Sequence, residues 1–224
     1  TLAGDPMQAL YRDVTELPVL SQASEHTVAL DRAYRSTKSI MKVAGALEVG
    51  DADFTGFDSP SGEPCDLVWA DNAAGQADAI ARDIHLLLED GYRARDIAIL
   101  YTRRWQLGKL VGALKIADIP FSVARPKDAV DLDLDDDSVK LITVHSAKGY
   151  EFGTVFLAGL EHLPEPSDEP ESARQGRTGY VGVTRARDRL VMTYSKDNTY
   201  LTRLRTLSED SLRRWVWPDD YPDE

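Results

Sequence analysis

Side chains able to do chemistry gather at four places in this sequence. Gly4-Asp5-Pro6-Met7-Gln8-Ala9-Leu10-Tyr11 is a tight polar turn close to the start. Ala33-Tyr34-Arg35-Ser36 puts an aromatic ring and a guanidinium at a strand-to-helix junction. Thr143-Val144-His145-Ser146-Ala147-Lys148-Gly149-Tyr150-Glu151-Phe152 is a polar loop between two apolar strands. Tyr180-Val181-Gly182-Val183-Thr184-Arg185-Ala186-Arg187 closes a helix ahead of the final strand. A guanidinium is a planar, permanently charged fork that can bond two phosphoryl oxygens at once. Each cluster alone also has an ordinary explanation. Gly-Asp makes turns, a Tyr-Arg pair at a helix start packs and stays solvated, and arginines near a helix end are favoured by its dipole.

The elements between these clusters alternate. Val28 to Leu30 reads as a short strand, and Ser36 as the cap of a helix reaching about Leu47. A Gly-, Asp-, Ser- and Pro-rich loop, 50–64, leads to a strand at Leu67 to Ala70. From Gln76 to Asp90, Ile80, Ile84, Leu87 and Leu88 share one helical face, and Gly91 stops the helix. Ile97 to Tyr101 is an apolar strand, and Gln106 to Ala117 a helix that Pro120 brings to an end. Phe121 to Ala124, Val139 to Val144, Thr154 to Ala158 and Leu190 to Tyr194 are further strands, with a helix over Ser172 to Val183. Strands that are apolar throughout, separated by amphipathic helices, predict an α/β fold with a mainly parallel sheet covered on both faces. In such sheets ligands sit beyond the carboxyl ends of the strands. Trp105 is expected in the core, with a place on the nucleotide side as the alternative, and Trp215 and Trp217 on a terminal helix packed against the body.

Composition narrows the class. No apolar run approaches the ~18 residues a membrane span needs, and the first residues lack the basic head and apolar core of a signal peptide. One cysteine excludes an internal disulfide and any multi-cysteine metal site, so a reducing, cytoplasmic setting is expected. A net charge of −12 is unusual for a nucleic-acid binder. Its distribution weakens that objection. The stretches 131–137, 161–171 and 219–224 hold 14 carboxylates and no Lys or Arg, which leaves 24 acids against 26 bases elsewhere.

Taken in order, GDPMQALY, YRS, a strand-helix-strand ending in IPFSV, TVHSAKGYEFGTVFL and YVGVTRARDRLVM resemble the UvrD/Rep-type superfamily-one DNA helicases from motif III to motif VI. The resemblance implies a second, C-terminal RecA-like motor domain of the P-loop NTPase fold over 15–224, preceded at 1–14 by a remnant of the first motor domain. It implies ATP with Mg²⁺, gripped mainly by that first domain, and single-stranded DNA as partner. By the same resemblance Arg35 and Arg185 face the γ-phosphate as arginine fingers and Gln8 senses it. Tyr34 stacks on adenine, Glu151 accepts from the ribose, and Gly149 and Gly182 line the nucleotide side. Thr143 and His145 touch the DNA backbone, and Tyr11 stacks on a base.

Three departures qualify what the resemblance implies. No GxxxxGK[ST] occurs in the sequence, and no acidic Mg²⁺ motif precedes GDPMQ, so the chain is not expected to hydrolyse ATP alone. Only 125–138 stand where UvrD and Rep carry a large accessory insertion. Asp13-Val14-Thr15 follow Tyr11-Arg12 where the family has another aromatic, removing one stacking platform. Two other readings stay open, a non-catalytic RecA-like interaction module and an RNA motor. Movement from 3′ to 5′ is favoured over the reverse.

Overall fold

The computed structural model describes residues 36–47, 59–124, 132–164 and 170–221. Gln8, Tyr11, Tyr34 and Arg35, like the strand expected at Val28 to Leu30, lie outside them. The elements run α1 (Lys38–Leu47), β1 (Cys65–Trp69), α2 (Ala73–Glu89), β2 (Ile97–Tyr101), α3 (Arg104–Ile116), β3 (Phe121–Val123) and β4 (Val139–Thr143). They continue with β5 (Phe152–Leu157), α4 (Pro170–Val183), β6 (Ala186–Tyr194), α5 (Thr199–Leu204) and β7 (Leu212–Val216). The strands form one sheet in the order β3-β4-β2-β5-β6-β1-β7, with every pairing parallel.

Successive residues of a strand point to opposite faces, so each apolar strand feeds two cores. Ile97, Ile99 and Tyr101 of β2 join Ile80 and Ile84 of α2 and Leu110 and Leu114 of α3 on one face. Ala98 and Leu100 join Ile40 and Val43 of α1, Tyr180 and Val181 of α4 and Tyr200 of α5 on the other. The result is the expected α/β sandwich, helices on both faces of a sheet that is parallel throughout.

Several local expectations need correction. Ser36 does not cap α1. Thr37 precedes the helix, while the Ser36 hydroxyl donates to the carbonyl of Ala186 at 2.7 Å. Asn72 caps α2 by accepting from the amides of Ala74 and Gly75, so that helix starts earlier than the apolar period indicated. Trp105 is not in the core but 53% exposed. Trp215 belongs to the edge strand β7 and Trp217 to the turn after it, not to a terminal helix.

Charge sets that edge. Asp66, buried in β1, accepts from Arg213 Nε at 2.9 Å and Arg213 Nη2 at 3.2 Å. It also accepts from the Trp215 indole at 2.8 Å. Period-two alternation aligns these groups on the face covered by α2, with Arg189 3.7 Å from Asp66 and 3.6 Å from Asp83. The Tyr221 hydroxyl donates to Asp83 at 2.6 Å, and the Arg82 guanidinium lies over the rings of Trp217 and Tyr221. The chain after β7 is thereby strapped onto α2.

Burial raises the Asp83 carboxyl above its ordinary range, against the lowering effect of the Tyr221 hydrogen bond and Arg189. A raised folded pKa gives stability that is present below the unfolded value and lost as the pH rises through the folded value. The wild-type chain should therefore gain stability relative to Asp83→Asn as pH falls toward the unfolded value of ~4. Urea midpoints of both proteins at pH 7 and pH 4 test this; an unchanged difference would refute it.

Candidate functional site at the two ends of the sheet

Arg185 stands immediately before β6 and is 3% exposed. The last turn of α4 and the loop before β5 hold it. Its Nε donates to the Val181 carbonyl at 3.0 Å, Nη1 to the Tyr150 carbonyl at 3.3 Å and Nη2 to the Thr184 hydroxyl at 3.2 Å. These three acceptors are neutral and fix the plane of the guanidinium. The Arg185 carbonyl accepts from the amide of Phe152, the first residue of β5, at 3.0 Å. Ser36, next in sequence to Arg35, is bonded to Ala186 one residue further on.

Gly149 has φ +94°, a left-handed conformation that suits glycine, and nothing lies near the place of its missing Cβ. Glu151 is exposed just before β5. Gly182 faces the sheet instead. A Cβ there would stand 3.4 Å from Leu157 and 3.5 Å from Val144, so its smallness serves the close packing of α4. Arg187, two residues past Arg185, is exposed and paired with Asp188 at 2.9 Å. The Asp188 hydrogen bond, its charge, and more weakly Asp96 and Glu151 hold its pKa above the ordinary range.

Gly149, Glu151 and Arg185 thus gather at the amino ends of β5 and β6. They precede strands, whereas Thr143 and His145 leave the carboxyl end of β4. The Thr143 hydroxyl donates to Ser146 Oγ at 2.9 Å and accepts from the Ser146 amide at 3.1 Å. The Ala147 amide donates to the Thr143 carbonyl, which closes one helical turn. His145 is exposed on this turn, and partial desolvation of its imidazole lowers its pKa. At neutral pH it is therefore an uncharged hydrogen-bonding group.

The segment 144–151 runs from the carboxyl end of β4 to the amino end of β5, across β2, which lies between those strands. Val144 and Ala147 are buried in the core beneath it. One short connection therefore carries His145 at one end of the sheet and, at the other, the Tyr150 carbonyl that Arg185 grips.

Polar side chains also tie together the carboxyl ends of β2, β5 and β6, a feature sequence reasoning missed. Gln106 accepts from the Thr102 and Arg103 amides and donates to the Ala158 carbonyl. Gln76 accepts from Thr193 and donates to Glu161, which also accepts from Ser195. A Cβ on Gly159 would fall 2.5 Å from Gln106 Nε2, and its φ of +72° favours glycine independently. The only signal in the sequence was glutamine at two helix positions otherwise suited to apolar residues. Among the described residues, no group of three or more His, Cys, Asp or Glu could hold a metal ion, and no helix is long and apolar enough to cross a membrane.

A seven-stranded parallel sheet sandwiched by helices is a RecA-like α/β fold. In fold it is similar to the C-terminal domain of a possible DNA helicase from Lactobacillus plantarum WCFS1, with TM-score 0.54 and 18% identity, covering 81% of this chain and 98% of that one. Residues 125–197 match the UvrD-like helicase C-terminal domain. The chain is 38% identical over 89 residues to the ATP-dependent DNA helicase PcrA of Bacillus subtilis, covering 38% of this chain and 12% of that protein. It is 45% identical over 65 residues to DNA helicase II of Escherichia coli, covering 27% of this chain and 9% of that protein. The chain thus resembles the C-terminal domain of UvrD/Rep-type superfamily-one DNA helicases. The matches reach only about a tenth of the length of these relatives.

Proposed function

We propose that this chain is the second motor domain of an ATP-dependent DNA helicase or translocase, working against an upstream first motor domain that carries the P-loop. The observation supporting this most is the connection 144–151, which joins His145 at one end of the sheet to the carbonyl that Arg185 holds at the other. In this reading Arg185, and Arg35 beside Ser36, place positive charge where negative charge spreads over a phosphoryl group in transfer. Glu151 and Tyr34 orient the nucleoside, and Gln8 responds to the terminal phosphate. Gly149 lets the chain turn there, and Gly182 sets the depth at which α4 presents Arg185. A shift of Arg185 pulls on Tyr150, and so on the turn bearing Thr143 and His145. Those two side chains and Tyr11 hold single-stranded DNA by backbone and stacking contacts that do not depend on sequence. ATP enters with Mg²⁺, which lies with the upstream domain; the residues described here offer a cation to phosphate but no metal-binding carboxylate cluster.

The test uses the parent protein, ATP, and duplexes with a 3′ or a 5′ single-stranded tail. Displacement from the 3′-tailed duplex is expected, with ATPase stimulated by DNA. The 224-residue chain, which has no GxxxxGK[ST], is expected to show no ATPase. Unwinding from the 5′ tail alone reverses the polarity. Stimulated ATPase without unwinding makes the protein a translocase. Robust turnover by the chain alone refutes the two-domain reading.

A further inference from the structure

Among the described residues, Trp105 is the large aromatic ring left standing in solvent at the carboxyl end of the sheet. It is 53% exposed, yet it is not loose. Its ring meets that of His162 edge-on, with centroids 4.8 Å apart and planes at 78°. Both rings are anchored from below. Gln106 ties the start of α3 to the Ala158 carbonyl, and the Thr102 hydroxyl donates to the His162 carbonyl at 3.3 Å. An exposed tryptophan held by a perpendicular neighbour keeps one face open without losing ring entropy when something stacks on it.

The surroundings favour a polyanion with flat bases. Arg103 and Arg104 immediately precede Trp105 and are exposed, and Lys196 is exposed just after β6. Burial lowers the His162 pKa, Glu161 opposes that, and the nearby charges of Arg103 and Lys196 lower it further. Of the acids here, Glu161 is turned inward, with one oxygen accepting from Gln76 and Ser195, and the exposed Asp197 beside Lys196 is paired with Arg205 at 2.6 Å. Position links the ring to the DNA residues already proposed. Trp105 follows β2 by a few residues, and Tyr101 at the end of β2 pairs directly with Thr143.

We propose that Trp105 is a base-stacking platform for single-stranded DNA, extending the track of Thr143 and His145 across the carboxyl end of the sheet toward β5 and β6. This rests on the DNA-motor reading above. It would supply an aromatic contact in a chain that has Asp13-Val14-Thr15 where the related helicases carry another ring.

The test is fluorescence anisotropy of a labelled oligothymidylate titrated with the 224-residue chain, its Trp105→Ala and Trp105→Phe variants, and His145→Ala. A matched oligonucleotide of abasic sites serves as the second probe. Trp105→Ala should weaken oligothymidylate binding by roughly five- to hundredfold, with Trp105→Phe close to wild type. The salt dependence should keep its slope, because no phosphate contact is lost. On the abasic strand wild type and Trp105→Ala should bind alike. If wild type binds oligothymidylate and Trp105→Ala binds it equally well, the platform is refuted while a loss in His145→Ala upholds the DNA reading. A loss equal on both strands refutes stacking. If the wild-type chain binds neither strand, the platform and the DNA contacts fall together.

Discussion

In the parent protein, Arg185→Ala should lower ATP turnover by roughly 10³–10⁵-fold, the range of arginine fingers, while ATP binding stays within several-fold. The charge Arg185 supplies matters most in the transition state, so the loss falls on the rate and little on affinity. Its geometry adds a second consequence. The side chain also grips the Val181 and Tyr150 carbonyls, so the variant frees the end of the 144–151 connection as well as removing a charge. DNA stimulation of whatever turnover remains should therefore disappear. Arg185→Lys separates the two effects. It keeps a positive charge but cannot reproduce a fork that bonds Val181, Tyr150 and Thr184 together, so it should restore some rate without restoring the stimulation. Steady-state ATPase with and without DNA, nucleotide binding, and thermal melting as a folding control give the answer. Arg35→Ala should match the Arg185 variant. Normal hydrolysis by both alanine variants would overturn the assignment.

Asp66→Ala should cost roughly 2–4 kcal/mol, at the lower side of what breaking a buried ion pair costs, because the partner guanidiniums are partly solvated. Asp66 itself is buried and carries the Arg213 fork and the Trp215 indole, with Arg189 3.7 Å away. Without the carboxylate, β7 loses its charge-assisted attachment to β1. The Arg189 guanidinium, whose Nε already lacks a hydrogen-bond partner, keeps only Asp83 as a carboxylate neighbour among the described residues. For a chain of this size the loss is a fall in melting temperature of roughly 5–15 °C. Asp66→Asn keeps an acceptor for the indole and should lose about half as much. The comparison is Asp188→Ala, which removes an exposed pair with Arg187 and should shift stability by under ~1 kcal/mol. Equal melting shifts for Asp66→Ala and Asp188→Ala would rule out the buried network as the clamp on this edge.

The sequence by itself determined the layers of this protein. A strand such as Ile97–Tyr101 is apolar at every position, and such a strand is stable only with both faces covered, which dictates a parallel sheet between helices. The four polar clusters were legible for the same reason, as polar residues interrupting apolar runs. Only the tertiary structure decided at which end of the sheet Thr143, His145 and Arg185 sit. Arg185 and Thr143 both lie at strand boundaries, but one precedes a strand and the other follows one. Strand order decides what stands beside them, and local spacing does not encode that order. β7 escaped notice because Leu212-Arg213-Arg214-Trp215-Val216 lacks an apolar pattern of its own. It becomes a strand through long-range contacts, the Arg213 and Trp215 bonds to Asp66. Trp105 was expected inside because large rings gain most from burial. It stands outside because the Gln106 network fixes the start of α3 and leaves His162 as its ring's partner.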